Sequence, residues 1–238
     1  MSEEKTYDVP ENIAESAHIN AKRYREMYQQ SINDSDAFWG EQAEEFLSWS
    51  SKWDKVQDWD YNEANINWFV GGKLNVSYNC LDRHLETRGD QVAIIWEGDD
   101  PEEDREITYK ELHEEVCRFA NALKARGVKK GDRVCLYLPM IAEASVAMLA
   151  CTRIGAIHSI VFGGFSPDAL RDRINDADCK VVVTSDYSLR GKKHIPLKAN
   201  ADKALADCPN VHTCIVVKRT GGDIAWHEDY ASVAVGSG

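Results

Sequence analysis

The stretch RVCLYLPMIAEASVAMLACTRIGAIHSIVFGG, Arg133 to Gly164, reads as strand, helix, strand, closed by two glycines. Arg133 to Leu138 and Ala156 to Phe162 are short apolar runs, and Ile141 to Ile154 between them is long enough for a helix. The alternation continues downstream. Helical stretches are Pro167 to Asp176 and roughly Pro196 to Asp207, and strand-like runs are Lys180 to Thr184 and Thr213 to Val217. Repeated strand–helix–strand units imply right-handed crossovers and a mostly parallel sheet flanked by helices on both faces. The expected fold class is therefore α/β.

Upstream, Val92 to Trp96 and Arg105 to Tyr109 flank an acidic loop, Gly98 to Asp104, which predicts a hairpin with a solvated tip. Thr108 followed by Glu111 forms a capping box, so a helix starts there. Its core stripe is Leu112, Val116, Phe119, Ala120 and Leu123, and Gly127 closes it. Residues 1–75 have another character, with Trp39, Trp49, Trp53, Trp59 and Trp68 and few β-branched runs. Helix-like stretches there are Ile13 to Tyr28 and Ala37 to Phe46, the second with Asp36 as its N-cap. The expected organisation is a tryptophan-rich helical segment over 1–75, layered on a larger body over 76–238. Core packing accounts for the tryptophans better than a ligand cage does.

Composition removes several function classes. Lys and Arg total 28 against 40 Asp and Glu, a net charge of -12, which argues against general nucleic-acid binding. The acidic start, MSEEKTYDVPE, lacks the layout of a secretory signal. The most apolar long stretch, Ala144 to Phe162, contains Arg153 and His158, so it reads as core and not as a bilayer span. Seven cysteines without a C-x-x-C pair suggest reduced core thiols and a cytoplasmic protein. The seven histidines show no metal-ligand spacing, and His158, inside an apolar strand, reads as a core residue. No nucleophile motif, paired carboxylates or nucleotide-binding glycine loop of the common kinds is present. Neither a catalytic residue nor a metal ligand is assigned.

Two strand ends are unusual, and ligands of parallel sheets lie at the carboxyl ends of strands. The first is Phe162-Gly163-Gly164, where the glycines allow a tight turn and close ligand approach, followed by Ser166 capping a helix that starts at Pro167. Its free N–H groups and positive dipole end would sit at the same spot. The second is the loop containing Arg190, Gly191, Lys192 and Lys193, which ends at Ile195-Pro196. Arg offers phosphate a planar fork and Lys a point charge. If successive crossovers set their strands side by side, the two loops meet and form an anion site.

Several blocks, in order, resemble the AMP-forming acetyl-coenzyme A synthetases of the adenylate-forming superfamily. They include Trp68 to His84, Ile94 to Gly98, Tyr109 to Leu112, Ala147 to Cys151, Arg153 to Ser166, Ile195 to Lys198 and Val217 to Gly221. The resemblance implies a part of the large N-terminal domain of an adenylate-forming enzyme. It implies acetate, ATP and coenzyme A as substrates, with magnesium, and acetyl-AMP as intermediate. It also implies that Arg190, Gly191, Lys192 and Lys193 hold coenzyme A phosphates. Phe162, Gly163 and Gly164, with Pro196 nearby, would border its adenine end. Many relatives carry Arg at the position of Lys193, and lysine lacks the bidentate fork.

The superfamily's phosphate loop is expected soon after Glu228, and the end Val235-Gly236-Ser237-Gly238 reads as a truncation or an added linker. The 238 residues are thus expected to catalyse neither half-reaction alone, to hold no cofactor tightly and, through exposed apolar surface, to self-associate or be marginally stable. Neither nucleic acid nor membrane is an expected partner. Alternatives are a propionyl- or other short-chain acyl-coenzyme A synthetase, a non-catalytic coenzyme A or anion-binding module, and an interaction protein built on the tryptophan-rich segment.

Overall fold

Asp34 ends one helix and begins the next in the first of two units, Met1–Leu74 and Asn75–Gly238, into which the chain divides. The computed structural model describes residues 5–191, 193–227 and 231–236. The first unit holds α1 (Glu11–Ser16), α2 (Ala21–Asn33) and α3 (Ser35–Phe46), then an antiparallel hairpin of β1 (Lys55–Asp60) and β2 (Asn65–Val70). Three expectations need correction here. The helix expected from Ile13 to Tyr28 is broken, because the Asn20 side chain accepts the Arg23 N–H at 2.9 Å and starts a new helix. The cap of α3 is Asp34 and not Asp36; Asp36 lies in the first turn, where its charge suits the helix dipole. The hairpin is a strand element in a segment expected to be helical. Trp49, Trp53 and Phe69 pack together with centroids 4.9–5.3 Å apart, Trp53 edge-on to both and Trp49 tilted against Phe69, while Trp39, Trp59 and Trp68 stay about half exposed.

The second unit opens with α4 (Val76–Cys80), a 3₁₀ turn (Asp82–His84) and α5 (Leu85–Arg88). The hairpin of β3 (Val92–Glu97) and β4 (Asp104–Thr108) follows, then α6 (Tyr109–Ala125). The Thr108 capping box is complete, and Leu112, Val116, Ala120 and Leu123 are buried with Phe119 packed beside them. Gly127 stops the helix at φ +82°, a conformation that costs other residues more.

From there the chain alternates: β5 (Arg133–Tyr137), α7 (Ala142–Ile154), β6 (Ile157–Ile160), α8 (Pro167–Asp176) and β7 (Val181–Ser185). A short hairpin of β8 (Ser188–Arg190) and β9 (Lys193–Ile195) precedes α9 (Leu197–Leu205), β10 (Thr213–Lys218) and β11 (Ala231–Gly236). The sheet is parallel with spatial order β6-β5-β7-β10-β11, so the fold is α/β with helices on both faces.

Both faces of the central strands are buried, and alternate residues serve opposite cores. Val134, Leu136, Val181, Val183, Ile215 and Val217 pack with α6 and α7. Cys135, Tyr137, Val182, Cys214 and Val216 pack with α8 and α9. Cys135, Cys179, Cys208 and Cys214 are part of the second core and Cys151 of the first, though Cys80 is exposed and Cys117 only partly covered. His158 is only partly buried because β6 is the edge strand. No described helix is long and apolar enough to cross a membrane.

The sheet order corrects one step of the sequence argument. β6 and β7 are not neighbours: β5 lies between them. The chain leaves β5 in one direction, returns across it and continues the other way. That reversal is a topological switch point, where the loops at carboxyl ends diverge and leave a crevice.

Candidate functional site

A cavity of about 310 Å³ opens at this switch point. Its wall draws on the carboxyl ends of four parallel strands: Leu138 to Ile141 after β5, Phe162 to Gly164 after β6, Ser188 to Arg190 after β7, and Arg219 after β10. The β3–β4 hairpin closes it with Trp96, Glu97, Gly98 and Asp99. Thus Phe162, Gly163, Gly164 and Arg190 share one cavity even though their strands are not adjacent. Gly191 is at its margin, where its N–H is donated to the Asp99 carboxylate. Lys193 and Pro196 flank it without lining it, although Ile195 between them does. Lys192 lies outside the described residues.

The local chemistry explains these positions. Tyr137 ends β5, and its hydroxyl donates to the Phe165 carbonyl at 2.9 Å and approaches that of Gly163 at 3.3 Å. Burial pushes its phenol pKa up, so it stays a donor and pins the glycine turn. Gly163 and Gly164 are needed for space, since neither has a positive φ. A Cβ on Gly163 would lie 3.3 Å from the Leu138 carbonyl oxygen, and one on Gly164 only 2.6 Å from the Phe162 ring. Gly191 is different: its φ of +57° closes the two-residue turn that sets Arg190 opposite Lys193. The stretch expected as a loop thus contains a small hairpin that pairs Ser188–Arg190 with Lys193–Ile195. Neither Arg190 nor Lys193 forms an ion pair among the described residues.

The α8 N-terminus contributes less than its sequence suggests. Ser166 accepts the Ala169 N–H, Pro167 supplies no donor, and the cavity wall stops at Gly164. The acidic hairpin tip contributes more. It is not merely solvated: besides Asp99 on Gly191, Glu103 pairs with Arg219.

Arg219, Trp96, Tyr137 and Asp186 carry no functional signal in the sequence spacing. Asp186, 2% exposed, accepts the N–H groups of Tyr187, Arg219 and Gly221 at 2.7, 2.9 and 2.7 Å, and that of Thr220 at 3.0 Å. Burial alone would raise its pKa, but these N–H donors outweigh it and hold the carboxyl below its usual range. Arg219 is thereby fixed at its backbone. Its guanidinium lies 5.1 Å from the Trp96 ring centre, and the Trp96 indole N–H donates to the Met140 carbonyl at 2.8 Å. A signal was available only in Asp186 itself, an acid directly after the strand Val181–Ser185, whose first three residues are valines.

The site therefore offers cations, backbone donors and an aromatic wall, which suit a phosphorylated ligand with a flat ring. Burial pushes the Cys151 and Cys214 thiols up to about 12 and Cys179 up to about 11, which leaves them poor nucleophiles. No group of three His, Cys, Asp or Glu fit to hold a metal occurs among the described residues.

Comparison with known proteins gives this chemistry a context. Residues 81–235 match the AMP-binding enzyme family, and residues 24–80 match the acetyl-coenzyme A synthetase N-terminus family. The chain is 66% identical to an acetyl-coenzyme A synthetase of Halorhodospira halophila over 96% of its own length and 35% of the relative's. It is 67% identical to one from Alkalilimnicola ehrlichii, with the same coverage. Among solved structures, an acetoacetyl-CoA synthetase from Streptomyces lividans superposes with a TM-score of 0.79 at 26% identity, over 93% of this chain and 34% of that one. The chain thus spans about a third of the length of these relatives.

Proposed function

Because the chain belongs to the AMP-binding enzyme family, we propose that it is part of an AMP-forming acetate–coenzyme A ligase and supplies part of the coenzyme A site. In this reading acetate attacks ATP to give acetyl-AMP and diphosphate. The coenzyme thiol then attacks the acetyl carbonyl carbon and AMP leaves. The 238 residues hold the nucleotide end of the coenzyme and by themselves complete neither step. Magnesium and ATP enter the reaction through the longer relatives' chemistry, and no described residue here is given a role toward them. Cytoplasmic location is part of the same reading.

The observation that carries it is the convergence of Arg190 with the Gly163–Gly164 turn in one cavity at the switch point. Arg190 and Lys193 would bind coenzyme phosphates, with Gly191 shaping the turn between them and Lys192 adding charge. Phe162, Gly163 and Gly164 would face the adenine, and Pro196 would buttress that side. A volume of about 310 Å³ is at the lower end for ligand cavities, as fits one end of a long coenzyme.

Calorimetric titration of coenzyme A tests this reading, comparing the unaltered chain with one carrying Arg190→Ala and Lys193→Ala. Saturable binding that falls at least about tenfold in the double variant is expected, since two charge-assisted contacts are lost. Equal binding by both proteins would remove these cations from the site.

A further inference from the structure

The acidic tip of the β3–β4 hairpin holds the positive groups of the cavity across long sequence separations. Asp99 accepts the Gly191 N–H 92 residues away, and Glu103 pairs with Arg219 116 residues away. Both contacts join a carboxylate to a group that a phosphate would also select. The two partners of the Arg219 pair differ in how firmly they are held. Arg219 has a side chain 19% exposed, a backbone N–H fixed by Asp186 and a guanidinium against Trp96. Glu103 is also held at its backbone, by Gly98 and Asp100, but its side chain is 43% exposed with no ring against it, so the side chain alone is free to swing away. The acid is therefore the movable member. Trp96 keeps its bond to Met140 when the carboxylate leaves, so the platform under Arg219 remains.

We propose that Arg219 is a further anion contact of this cavity, and that Asp99 and Glu103 occupy the places of the ligand's phosphates until the ligand displaces them. This rests on the reading of the cavity as a coenzyme phosphate site. A carboxylate and a phosphate make the same charge-assisted bonds to guanidinium and backbone N–H, but the phosphate offers more acceptor oxygens and more charge. Binding therefore exchanges two internal contacts for two stronger external ones. Anions of low charge do not gain enough to open the tip, so the tip selects for phosphorylated ligands. Its other acids, Asp100, Glu102 and Asp104, repel a bound phosphate as long as the tip stays closed and favour its withdrawal once one enters.

The test titrates coenzyme A and, separately, inorganic pyrophosphate into the unaltered chain, into Asp99→Asn/Glu103→Gln, and into that double variant with Arg219→Met added. The double variant is expected to bind both ligands about five- to twentyfold tighter, the range for two half-exposed internal pairs that no longer compete. The gain should vanish with Arg219→Met and be largely kept with Arg219→Lys, a second variant that guards against misfolding of the first. If the unaltered chain binds coenzyme A and the double variant binds it no tighter, the placeholder is overturned and the coenzyme reading stands. A gain that survives Arg219→Met removes Arg219 from the site. Tighter pyrophosphate binding without coenzyme A binding by any protein supports the placeholder and overturns the coenzyme reading. No binding of either ligand by any variant overturns both.

Discussion

Asp186 shows how one side chain sets the geometry of a site that it does not line. It sits at the carboxyl end of β7 and gathers four backbone N–H groups, three of them from the turn after β10. That turn carries Arg219, so the carboxylate fixes the root of a cavity cation from a neighbouring strand. Asn has nearly the same shape but turns one acceptor into a donor facing N–H groups. Asp186→Asn is expected to cost about 2–3 kcal/mol in urea unfolding, because a buried charged acceptor becomes neutral and the donors on the converted oxygen are left unpaired. The pH dependence has a definite sign. A folded pKa below the unfolded value means that the stabilisation is complete above about 3.9 and is lost as pH falls through the lower folded value. Below pH 4 the unaltered chain should therefore lose stability more steeply than Asp186→Asn. Parallel acid-unfolding curves for the two proteins would rule this out.

At the scale of elements, the sequence shows strands and helices better than it shows their neighbours. Pro167 to Asp176 is legible to the residue because Ser166, Pro167 and the apolar spacing all agree. The β1–β2 hairpin is not legible. In NINWFV the apolar Ile66, Trp68 and Val70 do fall at alternate positions, but the partner strand KVQDWD has no such pattern, and the turn sets Ala64, not glycine or asparagine, at φ +52°. Equally hidden is the clamp that joins the first helices of the second unit to α6 and α7. Arg153 at the end of α7 donates to both oxygens of Asp82 at 2.7 and 2.8 Å and lies 3.2 Å from His113 of α6. The Arg153 bonds hold the Asp82 carboxyl below its usual range despite the opposing effect of burial. In sequence, Arg153 is only a charge that interrupts an apolar helix. Arg153→Ala should cost about 2–4 kcal/mol, since partly buried Asp82 loses both guanidinium bonds and keeps only the His113 contact at 3.3 Å, and Arg153→Lys less, about 1–2 kcal/mol. Denaturant titration of the two variants checks the order, and equal losses would show that charge alone matters, without the fork.

For the whole molecule, sheet order decides both where the site lies and which surface is left uncovered. A run of strands and helices is compatible with many orders, so the cavity at the switch point follows from the sheet order and not from the motifs alone. The same order leaves β6 at an edge. Its Ile157 and Ile160 are 54% and 59% exposed, and Phe162 just beyond it is exposed as well. An edge strand with apolar side chains and unpaired backbone groups is a template for pairing with another chain, and it lacks the lysines or prolines that usually blunt such edges. Exposed apolar area of this kind also gains free energy when a second copy covers it. The 238-residue chain is therefore expected to self-associate, with a light-scattering mass that rises with concentration. Ile157→Lys/Ile160→Lys should bring the mass back toward the monomer value of 26.8 kDa, because a charge at the edge must be desolvated for pairing. The strand interior is untouched, so thermal unfolding of a dilute sample should change little. A concentration-independent monomer in the unaltered chain would show that the edge is protected, and an association that persists in the lysine variant would move the contact to another face.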